Sequence, residues 1–381
     1  MKTSGTQSAL SLQQKLQGKI EITSKIPLNS RKNLTLAYTP GVGQVATYIR
    51  DNKKSVYDIT IKNNTVAVIT DGSAVLGLGN IGPEAALPVM EGKCAIFRQF
   101  AKVNAFPICL NTQDTEEIIR TIRAISPVFG AINLEDISAP RCFEIESKLQ
   151  DLGIPVIHDD QHATAIVILA ALTNALKIVN KTLPKAKIVV TGSGAAGTAI
   201  INLLVKAGAK NVIAVDRKGI ISKNRGDISG YKIKLAQITN PEGLNGTLQD
   251  AAKGADALIG VSSKGLFTES IIKSMNKDSI VFALANPDPE VTPVDAKRWG
   301  VKLIATGRSD YPNQVNNALV FPGLFKGLLE ARKTKVTDEI KFKAAYALAS
   351  LVKNPTPQKF IPSIFDKKII PTLVKAVSSS S

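Results

Sequence analysis

Apolar and polar positions alternate along this chain in two rhythms. Short apolar runs that end in small or polar residues recur as TVAVITDG, FPICLNT, GIPVIHDD, KIVVTGSG, NVIAVDRKG, ADALIGVSS, SIVFALANPDPE and KLIATGRSDYP. Their length and β-branched content predict strands, and the polar tails predict strand ends that open into loops. Between them lie stretches with helical spacing. TEEIIRTIRAI and SAPRCFEIESKLQDLG open with acids, and SAPRCFEIE is expected to start on a serine cap with proline in its first turn. QHATAIVILAALTNALKIVNK has one long apolar face. Strand and helix therefore alternate, which predicts an α/β protein with a doubly wound parallel sheet in its second half. The last sixty residues read as helices with a frayed serine tail. A change of pattern near residue 157 divides the chain into an expected 1–157, mixed α/β, and an expected 158–381, a doubly wound sheet followed by C-terminal helices.

Composition narrows the setting. With 381 residues, 44% hydrophobic, 21% charged and a mean hydropathy of +0.08, the chain has the apolar content of two compact domains. Three cysteines, Cys94, Cys109 and Cys142, with no C-x-x-C spacing, argue against a disulfide framework or thiolate zinc site and suggest a reducing, cytoplasmic home. Residues 1–20 carry neither the apolar core of a signal peptide nor the arginines of a transit peptide, and no run predicts a bilayer span. The net charge of +17 is scattered, with few aromatics interleaved, so nucleic acid is disfavoured and a small anionic substrate suits the surface.

Two places carry chemistry. In the first, GSGAAG, residues Gly192, Ser193, Gly194, Ala195, Ala196 and Gly197, follows the strand KIVV and opens a helix, the context that a dinucleotide turn requires. The first glycine makes the turn, the second lets amides approach a pyrophosphate and the third lets helix and strand pack closely. Asp216 ends the next strand, where a carboxylate accepts ribose hydroxyls; this favours NAD, while the adjacent Arg217 and Lys218 would welcome the 2′-phosphate of NADP. In the second, AINLED and VIHDD put Glu135, Asp136, Asp159 and Asp160 at the ends of two strands. Carboxylates converging on one crevice repel unless a cation joins them, and oxygen ligands select Mg²⁺ or Mn²⁺. His158 and His162, the chain's two histidines, are read as hydrogen-bonding neighbours of the acids.

AYTPGV (37–42), VITDGSAVLGLGNIGPEAALPVMEGK (68–93), NLEDI (133–137), VIHDDQHATA (156–165), TGSGAAG, ANPDPE (285–290) and GRSDYPNQVNNALVFPG (307–323) together resemble the malic enzymes in their short prokaryotic-type form. The resemblance implies an N-terminal malic domain, a Rossmann-type NAD(P)-binding domain, and metal-dependent oxidation of L-malate at C2 with loss of the neighbouring carboxylate to give pyruvate. It assigns Tyr38 as general acid and Lys93 as general base, the latter neutral near pH 7. It assigns Glu135, Asp136 and Asp160 as ligands of Mg²⁺ or Mn²⁺, Asn286 and Asn317 together with Lys93 as substrate contacts, and Asn316 as a nicotinamide contact. A homodimer or larger assembly follows by the same resemblance. One departure stands out: the family pattern has glycine where this chain has Ala163, which fits only if that position takes a negative φ. Alternatives on the same residues are a malolactic or oxaloacetate decarboxylase, and a non-catalytic nucleotide- or RNA-binding protein.

Overall fold

The computed structural model describes residues 8–380. Four strands, β1 (Thr65–Thr70), β2 (Asn104–Cys109), β3 (Ala131–Leu134) and β4 (Val156–His158), form one sheet in the order β2-β1-β3-β4, all parallel. Six more, β5 (Lys187–Thr191), β6 (Asn211–Asp216), β7 (Gly219–Ile220), β8 (Ala257–Gly260), β9 (Ile280–Ala283) and β10 (Leu303–Thr306), form a second in the order β10-β9-β8-β5-β6-β7. Only the two-residue β7 runs antiparallel there. The central strands β1, β3, β8 and β9 are buried along their whole length, as parallel strands covered on both faces must be.

The helix Asp159–Ile178 joins the two halves. It is the one helix among the described residues long and apolar enough to cross a membrane, yet 72% of its most apolar window is buried inside the protein. It packs on the helices Ala195–Lys206 and Asp338–Ser350, which explains why its sequence is apolar on nearly every side. Ala163 lies fully buried within this helix and is not among the residues with positive φ, so alanine meets no backbone strain there.

Two local expectations give way to tertiary contacts. The helix expected to start at Ser138 begins at Arg141, with Pro140 in the cap position; the backbone amide of Ser138 is drawn instead to the Ser73 hydroxyl, 2.9 Å away. Up to Ser380 the serine tail is tied rather than frayed: Lys343 Nζ donates to the Ser379 carbonyl at 2.6 Å, and Lys333 holds the buried Ser380, while Ser381 lies outside the described residues.

Candidate active site

β3 and β4 are adjacent and parallel, so their carboxyl ends deliver Glu135, Asp136, Asp159 and Asp160 to one place. The helix Gly82–Ala101, between β1 and β2, turns its buried face toward them and carries Lys93, which is 7% exposed. Lys93 Nζ donates to Glu135 Oε1 at 2.7 Å and to Asp159 Oδ2. Asn317 Nδ2, from the start of the short helix Asn317–Leu319 that follows β10, reaches the same Asp159 oxygen at 2.5 Å, and Asn133 Nδ2 holds Glu135 Oε2 at 2.8 Å. The Lys93 ammonium also lies 4.2 Å from the centroid of the Phe321 ring.

One oxygen from each of Glu135, Asp159 and Asp160 lies within 4.8 Å of the others. Asp159 Oδ1 is buried with no hydrogen-bond partner, an orphan that a cation would satisfy. Asp160 Oδ2 also accepts from the Asp136 amide at 3.0 Å, and Asp136 holds a left-handed φ of 52°. The tight trio thus contains Asp159, which the resemblance left unassigned, while Asp136 is buried beside it. Burial, and then the charge of Asp160, push the Asp136 carboxyl up to about 8. Burial pushes Glu135 well above the usual carboxylate range, with Asp160 adding to the push and Lys93 opposing it.

Without a cation these groups hold Lys93 in its charged form. Burial alone would lower the ammonium, but the carboxylates of Asp159, Glu135 and Asp160 outweigh it and raise Lys93 above its ordinary value. The neutral lysine that a general base requires therefore depends on something else neutralising the acids. The same crowding sets a pH dependence. An acid with a raised folded pKa binds its proton more readily folded than unfolded, so the metal-free chain loses stability as pH rises from roughly 4, the unfolded carboxylate value, towards 8. A cation reverses that loss by taking the place of protons. The rise in Tm produced by Mn²⁺ is expected to be larger at about pH 8 than at about pH 6 in scanning fluorimetry; an equal or smaller rise at the higher pH would remove this cluster as the cation site.

The histidines lie behind the acids. His158 is fully buried, with Nδ1 3.9 Å from Asp160 Oδ2 and neither ring nitrogen hydrogen-bonded, and His162 Nε2 meets Glu146 Oε1 at 2.8 Å. Asn286, just past β9, donates to the Leu284 carbonyl at 3.3 Å, and its own carbonyl lies 3.0 Å from where a Cβ on Gly77 would be, bringing it against the loop after β1. Asn316 caps the short helix Asn317–Leu319, accepting from the Ala318 amide at 2.8 Å. Tyr38 stands apart. It is 67% exposed at the end of the helix Arg31–Ala37, and no side-chain hydrogen bond links it to Lys93 or the acids.

The glycine turn has the shape a dinucleotide needs. Gly192 takes a φ of 95°, and a Cβ on Gly197 would fall 1.7 Å from the Gly192 carbonyl oxygen, so helix Ala195–Lys206 can approach β5 only with glycine there. Gly194 caps that helix with no side-chain hydrogen bond, and a Cβ on it would meet nothing within 4 Å. Open space in front of uncapped helix amides is where a pyrophosphate sits. Ser193 is buried in the turn, and its carbonyl accepts from Thr198 Oγ1 at 3.2 Å. Gly197→Ala is expected to cost about 3 kcal/mol or more, since the clash is with backbone that cannot rotate away; an unchanged Tm would show that the turn is looser than this.

Asp216 ends β6 as expected but is already occupied. Arg225 and Lys232 both bond its carboxylate, at 2.8 and 2.7 Å. Burial acts to raise this carboxyl, and the bonds from Arg225 and Lys232 outweigh it and hold it below the usual range. Arg217 is exposed, and Lys218 turns away to Asp227 at 3.0 Å. Nothing in local sequence spacing marked Arg225 or Lys232, which reach Asp216 across a turn and from a following helix.

A parallel α/β sheet with a dinucleotide turn, facing a buried lysine set in a cluster of carboxylates, defines a coenzyme- and cation-dependent enzyme. Comparisons with known proteins agree in detail. Residues 17–150 match the family model of the malic enzyme N-terminal domain, and residues 161–376 match that of the malic enzyme NAD-binding domain. The chain is 53% identical to the NAD-dependent malic enzyme of Geobacillus stearothermophilus over 363 residues, covering 94% of this chain and 76% of that one. It is 44% identical to the NADP-dependent malic enzyme of Halomonas elongata, covering 96% and 89%. The crystal structure of the NAD-dependent malic enzyme from Thermotoga maritima superposes with a TM-score of 0.96 at 47% identity, covering 98% of this chain and all of that one. The chain belongs to the malic enzyme family. Its activity is the oxidative decarboxylation of L-malate to pyruvate and CO₂ with NAD or NADP as coenzyme and a divalent cation.

Proposed function

We propose that Lys93 is the general base of this reaction, that Tyr38 is the general acid, and that Glu135, Asp136 and Asp160 hold the cation. The observation that carries this reading is the buried Lys93 ammonium set among carboxylates at the end of β3 and β4. When bound, a divalent cation there supplies Lewis acidity at the substrate's C1 carboxylate and C2 oxygen. With the charge of those acids offset, Lys93 Nζ would be free to accept the C2 hydroxyl proton as hydride leaves C2. Asp159, one oxygen of which is already engaged by Lys93 and Asn317, orients the base. Asn286 and Asn317 hold the substrate carboxylates, Asn316 lies beside the nicotinamide, and the amides at Gly192 to Gly197 receive the pyrophosphate. After CO₂ departs, Tyr38 gives its proton to C3.

The same reading divides the chain at residues 157 and 158, between a substrate domain and a coenzyme domain, and places it in the cytoplasm as a homodimer or larger assembly. Support for assembly comes from the N-terminal arm. Leu10, Leu12, Leu16, Leu34, Leu36, Val42, Val45 and Tyr48 are all exposed, and no residue of the three helices Ala9–Leu16, Arg31–Ala37 and Gly41–Asp51 is buried. Apolar surface of that extent is what a second copy would cover, taking Tyr38 out of solvent with it. Incubation with L-malate, Mn²⁺ and either coenzyme tests the function: pyruvate and reduced coenzyme are expected in equal amounts. Lactate formed without net coenzyme reduction would mark a malolactic reaction instead.

A further inference from the structure

The ribose-binding end of the coenzyme site carries more positive charge than an NAD site needs. From residue 216 to 234 the sequence DRKGIISKNRGDISGYKIK holds six cations against two carboxylates. The fold brings two of those cations onto Asp216. Its Oδ1 accepts from the Lys218 amide at 2.9 Å and Arg225 Nη1 at 2.8 Å, and its Oδ2 accepts from Arg225 Nη2 at 3.2 Å and Lys232 Nζ at 2.7 Å. A carboxylate offers about four lone-pair sites, and all of them are used. A ribose hydroxyl arriving at Asp216 would find no acceptor without breaking one of these bonds.

The cations are also held in place. Arg225 Nη1 lies within 3.2 and 3.3 Å of the Gly219 and Ile220 carbonyls, over the turn between β6 and β7, and Nε pairs with Asp227 at 2.8 Å. The Arg225 side chain is only 15% exposed. Lys232 stands in the first turn of the helix Tyr231–Ile238, which has no acid there to balance its dipole. A lysine at a helix start is unfavourable by itself, whereas an anion between it and the helix is favourable.

We propose that Arg225 and Lys232 form a binding site for the 2′-phosphate of NADP, with Asp216 the positioning residue that holds both cations rather than the acceptor of the NAD ribose. The sign of the charge at this strand end, the two carboxylates of Asp216 and Asp227 among the three cations of Lys218, Arg225 and Lys232, then favours the phosphorylated coenzyme, opposite to what Asp216 implies when read alone. Arg225 supplies a guanidinium whose N–H groups, engaged in the free protein by Asp216 and Asp227, a phosphate would share, and Lys232 adds a point charge. The proposal rests on the coenzyme site already described and adds which adenosine end it reads.

Binding measured by titration calorimetry, without malate turnover, tests it. The wild type is expected to bind NADPH at least as tightly as NADH, and to bind 2′,5′-ADP more tightly than 5′-AMP. Arg225→Gln combined with Lys232→Gln is expected to weaken NADPH and 2′,5′-ADP by roughly thirtyfold or more, the loss of two charge-assisted bonds, while NADH changes less than about threefold. Lys223→Ala, an exposed lysine of the same loop, is expected to leave both affinities alone. Should the paired change destabilise the fold, each single substitution gives the same comparison, because the NADPH to NADH ratio is read within one protein. Equal losses for the two coenzymes, or a wild type that binds NADH more tightly than NADPH, would overturn the proposal. Failure of both coenzymes to bind would overturn the coenzyme site with it.

Discussion

Lys93→Ala is expected to lower kcat for malate by about 10³-fold or more, at the upper end of what a positioned general base contributes. The group removed is not a solvated helix lysine but a buried ammonium bonded to Glu135 and Asp159 and stacked over Phe321. Given its proposed role as base, its loss leaves the C2 hydroxyl proton without an acceptor, so reduction of oxaloacetate or pyruvate, which needs the same group in reverse, should fall with it. Tyr38→Phe is expected to behave differently. On the proposed assignment that residue serves only the protonation of C3, so the variant should lose overall decarboxylation while retaining those reductions. Measuring the partial reactions of both variants separates the roles; equal losses in every partial reaction would mean that they are not divided as proposed. Circular dichroism of Lys93→Ala guards against a trivial explanation, because removing the cation leaves its carboxylates buried without a partner.

Asp160→Asn is expected to weaken Mn²⁺ by about two orders of magnitude, and His158→Gln by less than threefold, in direct metal titration. Asp160 contributes one oxygen of a trio lying within 4.8 Å, whereas the His158 ring lies 3.9 Å from that same residue and has no hydrogen bond of its own. A hard cation binds oxygen, and a neutral amide oxygen replaces a carboxylate poorly. If the histidine variant lost more affinity than the aspartate variant, the ligands would include imidazole and the acids would be their neighbours. Asp159→Asn gives a third point: it removes the carboxylate charge that Lys93 and Asn317 share and that lies in the trio, so it is expected both to disturb Lys93 and to weaken the cation.

Much of this protein was legible one segment at a time. The apolar runs marked the parallel strands because a strand covered on both faces has no polar side to show. GSGAAG marked the coenzyme turn because the approach of helix to strand leaves 1.7 Å where a Cβ on Gly197 would be, a restriction that only glycine satisfies. The doublets Glu135–Asp136 and Asp159–Asp160 pointed to converging carboxylates by their place at strand ends, and the fold brings them together. Each of these signals is local: the residue and the reason for it lie within a few positions of each other.

What tertiary structure alone decided is which groups share a proton, a cation or a hydrogen bond. The pairing of β3 with β4 puts Asp159 in the carboxylate trio and sets Asp136 beside it, a choice that two adjacent acids in a sequence leave open. The buried face of helix Gly82–Ala101 carries Lys93 onto those acids from more than forty residues away and so keeps it charged until a cation arrives. Arg225 and Lys232 reach Asp216 across a turn and a following helix, and reverse the sign of charge that the aspartate presents. The short turn between two helices that carries Tyr38 reads as a site motif, yet this chain alone leaves the side chain in solvent. Backbone preference and hydrophobic pattern act over a few residues and are written in the chain, whereas electrostatic partnership acts through space and depends on where the fold places each charge.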